Sequence, residues 1–190
     1  LNDINPQHWF AQAWVEGQSY YLCAYLSGKG SHAHFWQQNL LQQPGGKSIV
    51  LARSVSNPGI STEPLFQGLF DLGYYGPFMM EVIRDDDGHF YYIEINPRFW
   101  GPLQLALDKC PEILRLFADD AGVEVDVDTN LIGVASEDTH WYAWQRGAQM
   151  EGCRSYPALV HVESSLTLAE LLDRWDVYAR PDTQSLHGRY

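Results

Sequence analysis

Positive charge is scarce in this sequence. Twelve Lys and Arg stand against 24 Asp and Glu, a formal charge of −12. Non-specific nucleic-acid binding needs a basic surface, so no nucleic-acid partner is expected. Cysteine is scarce as well. Cys23, Cys110 and Cys153 are widely spaced and odd in number, with no CxxC pair, which argues against a zinc ribbon or a disulfide framework. A reducing, cytoplasmic setting is the expectation. No apolar run approaches the ~18 residues of a membrane span, so no membrane partner is expected, and no signal-peptide pattern opens the chain. The first residue is Leu1, not Met, and strand-like residues begin at position 9. A piece of a longer protein is therefore expected.

Apolar material is plentiful. Of the 190 residues 45% are hydrophobic and 14% aromatic, enough to build a core. "WFAQAWV" (9–15) and "SYYLCAYLS" (19–27) read as strands, with "HAHFW" (32–36) a third. "QQNLLQQPGGKS" (37–48) is polar and broken by Pro-Gly-Gly, which predicts a loop, and "IVLARSV" (49–55) resumes a strand. Leu65, Phe66, Leu69, Phe70 and Leu72 recur at helical spacing over 63–73. "PFMMEVIR" (77–84) and "HFYYIEIN" (89–96) flank "DDDG" as two strands about a turn. Residues 111–122 predict a helix ended by Gly122. Short strands near 140–144 and 157–162 and a last helix over 167–175 complete the reading. The class is α+β, a mostly antiparallel sheet with flanking helices.

The chemistry concentrates at 81–98. Glu94, Asn96 and Arg98 alternate with Ile93 and Ile95, so they share one face of a pleated strand and the two isoleucines are expected to face the packing side. If Asp87-Gly88 is a two-residue turn, Glu81 lies opposite Glu94, and a four-residue loop keeps these groups on one face. A three-residue loop sends Glu81 to the other side. Facing carboxylates repel unless a cation lies between them. Two acids and an amide are oxygen donors suited to Mg²⁺, and a neighbouring arginine suits forked recognition of phosphate or carboxylate. A surface hairpin with solvated acids and a capping arginine stands as an equal reading of the same spacing.

The stretch "GYYGPFMMEVIRDDDGHFYYIEINPRFWG" (73–101) resembles the ATP-grasp superfamily, in particular carbamoyl-phosphate-synthase-like carboxylate–amine ligases. The resemblance implies Mg²⁺ (or Mn²⁺) on Glu81, Glu94 and Asn96, bridging the phosphates of ATP, with Arg98 at phosphate or the phosphorylated intermediate. "FAQAWVEGQSYYLCAYLSGKG" (10–30) is similar to the family's adenine-hinge strand. That likeness implies Gln12 near the adenine amine, Ala13 and Val15 offering backbone groups, and Ser19 or Tyr20 at the ribose. "PGGKS" (44–48) resembles a family loop bordering the substrate. Just before it, relatives carry basic residues where this chain has Gln37, Gln38, Asn39, Gln42 and Gln43.

The family's other subdomain, with its phosphate loop, normally precedes the hinge strand. Residues 1–122 are accordingly expected to be the C-terminal ATP-grasp subdomain, and 123–190 an extension packed on the same domain. The expected function is part of an ATP- and Mg-dependent ligase joining a carboxylate to an amine or similar nucleophile through an acylphosphate. The chain alone is expected to be inactive. The alternative is a non-catalytic nucleotide-binding or regulatory module. Expected partners are ATP, a small carboxylate, an amine and the N-terminal subdomain, with a homodimer left open.

Other signals are weaker. "GGKS" imitates the end of a phosphate-binding P-loop, but Leu41 stands where glycine is required. Residues 126–137 have calcium-loop spacing with Leu131 at the turn glycine. His32 and His34 share a strand face without a third ligand, Trp141, Trp144 and Trp175 read as core, and Cys23 as a buried apolar residue.

Overall fold

The fold comes from a computed structural model that describes residues 13–125, 139–160, 162 and 166–181. The stretch with calcium-loop spacing and Gln12 lie outside these residues. The strands are β1 (Gln18–Leu26), β2 (His32–Gln42), β3 (Ile49–Val55), β4 (Gly76–Arg84), β5 (Phe90–Asn96), β6 (Trp141–Ala143) and β7 (Arg154–Ser155). The helices are α1 (Glu63–Asp71), α2 (Leu103–Lys109), α3 (Glu112–Ala121) and α4 (Leu168–Arg174). All seven strands join one sheet in the order β5-β4-β1-β2-β3-β6, with β7 paired to β2. Every ladder between named strands is antiparallel. The α+β class with a mostly antiparallel sheet is therefore the fold.

Period-two alternation sorts the two faces of the sheet. On one, Tyr21, Cys23, Tyr25 and Phe35 pack with Trp100, Leu105, Ile113 and Leu116 from the α2–α3 segment. On the other, Leu22, Ala24, Leu26, Met80 and Val82 pack with Phe66 of α1. His32 stacks on Phe66 with ring centroids 3.8 Å apart and meets Glu63 at 3.4 Å. This pair is held by packing and an acid. A third cluster gathers Leu40, Val50, Leu51 and Ala143 with Leu172 of α4, and Trp141 and Trp175 pack against it. Asp120 ties α3 to the β1–β2 turn by accepting from the Gly28 amide (3.0 Å), the Ser27 hydroxyl (2.9 Å) and the Tyr25 hydroxyl (3.2 Å).

Several elements differ from the sequence reading. Residues 13–16 are irregular, and among the described residues the first strand begins at Gln18; residues 9–12 of the expected strand lie outside them. Residues 37–42 are strand, not loop, and Gln37, Gln38 and Asn39 are buried within it. The sheet overrides composition here because β1 and β3 pair with both edges of this strand. Residues 157–159 form a 3-10 turn where a strand was expected, and the strand lies just before it, at 154–155. Helix α2 is short and had no separate signal.

Candidate functional site

The hairpin closes on a three-residue loop. The Asp85 amide donates to the His89 carbonyl (3.0 Å), and Gly88, at φ 88°, sits in the left-handed region that completes the turn. From that pair the ladder runs Arg84 with Phe90, Ile83 with Tyr91 and Val82 with Tyr92. Continued evenly, it would set Glu81 against Ile93 and turn the acids to opposite faces. Instead the register shifts between Val82 and Glu81, and Glu81 pairs with Glu94. One extra residue in β5, Ile93, makes this a β-bulge, a device that re-aims side chains beside sites. The loop and the bulge cancel, so the two carboxylates share a face.

That face continues as one row across the sheet. Glu94 pairs with Glu81, Glu81 with Tyr21, Tyr21 with Gln37, and Gln37 with Ser54. The next row on the same face is Asn96, Met79, Cys23 and Phe35, which leads into the core under α2 and α3. The polar row is therefore the edge of a cleft of about 1350 Å³ that lies over this end of the sheet.

The side chains are tied together. The Tyr21 hydroxyl donates to Glu81 Oε1 at 3.0 Å, and Asn96 Nδ2 donates to Glu94 Oε1 at 2.7 Å. Burial raises the Glu81 pKa, with hydrogen bonds from Tyr21 and Ser19 opposing, the Glu94 charge adding and Arg154 opposing. Burial, the Glu81 charge and Tyr156 push the Tyr21 phenol far above its ordinary value, so it remains a donor. Gln37 Nε2 donates to Asn39 Oδ1 at 2.8 Å, both buried. Arg98 is exposed at the cleft, its Nη1 donating to the Phe99 carbonyl at 3.0 Å, and it has no ion pair among the described residues.

The donor set fits a hard divalent cation. Asn96 spends its amide N–H on Glu94, which leaves its carbonyl oxygen free, and Glu94 keeps a second carboxylate oxygen. With Glu81 these are three oxygen-bearing groups at one end of the cleft. Asp85, Asp87 and His89 also bring ligand atoms within 4.8 Å of one another at the hairpin tip. Asp85 is already engaged there by the His89 amide (2.8 Å) and the Tyr91 hydroxyl (3.1 Å), as a turn-closing acid would be.

The remaining expected site residues divide. Ala13, Val15 and Ser19 line the cleft. Tyr20 lies on the opposite face, packed against the Leu22–Phe78 cluster, and does not line the cleft. Ile93 and Ile95, expected to pack inward, are 36% and 44% exposed because β5 is an edge strand. Tyr21, Arg154 and Tyr156 also line the cleft and were missed, and Gln37, Asn39 and Gln42, noted beside the substrate loop but read as loop, line it from a strand. Gln37 and Asn39 carried a usable signal, their period-two spacing, which the loop reading hid.

No protein-family model matches the chain, and no curated protein does. Among solved structures it is similar to the biotin carboxylase domain of Hydrogenobacter thermophilus 2-oxoglutarate carboxylase, solved with MgADP, ADP and bicarbonate. The identity is 18%, the TM-score 0.44, with 60% of this chain and 27% of that chain covered. Biotin carboxylase from Campylobacter jejuni, solved as a β-γ-ATP complex, overlaps at 14% identity and TM-score 0.46, over 60% and 27% of the two chains. The ATPase subunit of phosphoribosylaminoimidazole carboxylase from Aquifex aeolicus overlaps at 15% identity and TM-score 0.44, over 57% and 35%. The chain spans about a quarter to a third of the length of these structures.

Proposed function

We propose that this chain is the C-terminal part of an ATP-grasp-type ligase, and that its cleft binds Mg·ATP and a carboxylate substrate. The observation that carries the reading is the bulged hairpin. Its register brings Glu81 opposite Glu94, with Asn96 and Arg98 following at the cleft. Mg²⁺, or Mn²⁺ in its place, would be held by Glu81, Glu94 and Asn96, and supplies charge neutralisation on a transferring phosphoryl group. Tyr21 keeps Glu81 oriented through its hydrogen bond. Arg98 meets the carboxylate or the developing charge from the solvent side. The adenine end falls at Ala13 and Val15, with Ser19 the residue of the Ser19–Tyr20 pair that reaches the cleft. Capture of an acylphosphate by an amine then needs positioning rather than a covalent nucleophile. The N-terminal subdomain would close over the open cleft.

The test is Mg-dependent nucleotide binding by this chain, with ADP release measured on a protein extended N-terminally. Tight Mg·ADP binding that Glu94→Gln abolishes, with turnover only in the longer protein, is the expected result. Nucleotide affinity that ignores both Mg²⁺ and Glu94 overturns it. The second reading, a non-catalytic nucleotide-binding module, is favoured by β2, which presents Gln37, Asn39 and Gln42 to the cleft and no cation. Binding without turnover in the extended protein selects it.

A further inference from the structure

Three cations line the cleft: Arg98, Lys47 and Arg154. Arg98 belongs to the hairpin end. The other two come from segments far apart in sequence, and Gln42 bridges those segments. Gln42 Nε2 donates to the Lys47 carbonyl at 2.9 Å, and Gln42 Oε1 accepts from the Tyr156 hydroxyl at 2.7 Å. Arg154 pairs with Gln42 across the β2–β7 ladder, so both point to the same face. Its guanidinium lies over the Tyr156 ring, 5.7 Å from the centroid. Neither Lys47 nor Arg154 has an ion pair among the described residues, although acids outnumber bases two to one in the chain. Between this side and the hairpin lies a neutral floor, the buried amides Gln37 (0% exposed) and Asn39 (5%).

Two cation-bearing ends separated by amides describe a ligand with two anionic groups. A planar guanidinium and an ammonium that are in no salt bridge among the described residues, Arg154 acting on Glu81 only through its charge, are suited to a ligand's carboxylate. We infer that Lys47 and Arg154 form a subsite for a second carboxylate of the substrate, so that the acid bound in this cleft is a small dicarboxylate. The acid's use, with its first carboxylate activated at the Glu81–Glu94 end, rests on the ligase reading. The binding of the second carboxylate does not.

Calorimetric titration of the chain with succinate, glutarate and propionate at low ionic strength tests this. A charge-assisted bond contributes about 1.5–3 kcal/mol, so one of the two dicarboxylates should bind about tenfold tighter than propionate or better. Arg154→Met and Lys47→Met should each erase that preference, while Arg154→Lys, which keeps the charge, retains part of it. Circular dichroism is the check that the variants are folded. Mg·ADP affinity should be unchanged in Lys47→Met and should shift far less than the dicarboxylate preference in the Arg154 variants, whose charge acts on Glu81. Dicarboxylates that bind no better than propionate overturn the inference. So does a preference that survives both methionine variants, or an equal loss of Mg·ADP affinity, which would assign the pair to the nucleotide. Failure of the wild-type chain to bind Mg·ADP would instead remove the ligase reading and leave the dicarboxylate titration standing.

Discussion

Glu81 and Glu94 pair directly across the β4–β5 ladder, so each is expected to act differently with and without a cation. Replacing Glu94 by Gln, or Asn96 by Ala, should weaken Mg·ADP binding by tenfold or more in calorimetry, since even outer partners of a metal site cost about 10–100-fold. Without metal the sign reverses. Glu81→Gln removes a facing like charge and keeps an acceptor for the Tyr21 hydroxyl, so it should stabilise the chain by roughly 0.2–1 kcal/mol in urea at neutral pH. Because the Glu81 pKa is raised in the fold, its contribution to stability is full below the unfolded carboxyl value and is lost as pH rises through the folded one. The advantage of the variant should therefore vanish in acid and grow toward neutrality. A variant equally stable at every pH would contradict this account. At this scale the sequence was legible where chemistry repeats with the pleat: Glu94, Asn96 and Arg98 announced themselves. Arg154 and Tyr156 did not, because nothing local shows that residues 154–156 return beside β2.

At the scale of the element, burial decides. Phe66 is the one buried side chain of α1 and the contact between that helix, His32 and Phe78. Phe66→Ala should cost about 3–5 kcal/mol by chemical denaturation. Gly17 is the more local case. A Cβ there would lie 2.2 Å from the Arg84 carbonyl oxygen, and the backbone at φ 156° is one that side chains rarely adopt. Gly17→Ala should destabilise the chain and weaken nucleotide binding together, since residues 13–16, which line the cleft, enter through this point. Equal nucleotide affinity in that variant would show that the entering segment does not reach the ligand. Helices α1, α3 and α4 and the β4–β5 hairpin were readable from periodicity and turn signals, whereas α2 and β7 were not. β2 was not, since buried amides look like loop residues until neighbouring strands claim their backbone. The bulge was unreadable too: the acids pair as a two-residue turn requires, but they do so through a longer loop and one extra residue.

For the whole molecule, the cleft concentrates three cations in a chain of formal charge −12. Ligand binding to the folded form alone should raise the thermal midpoint, by about 2.7 kcal/mol of stability when Mg·ADP stands at 100 times its dissociation constant. Differential scanning fluorimetry with ADP, with Mg²⁺ alone and with both separates the contributions. Only the combination should give the full shift, and ADP alone doing as well would argue against a metal bridge. The edge of the sheet at β5 leaves Tyr92, Ile93 and Ile95 exposed.

The bulge has a practical side. The Asp85–His89 pair closes the loop, and only residues between it and Glu94 determine which face each acid takes. The tip, Asp87-Gly88, is thus insulated from the carboxylates. A short epitope or fluorophore-bearing peptide spliced there would ride on the hairpin as a reporter while the acids stay in step.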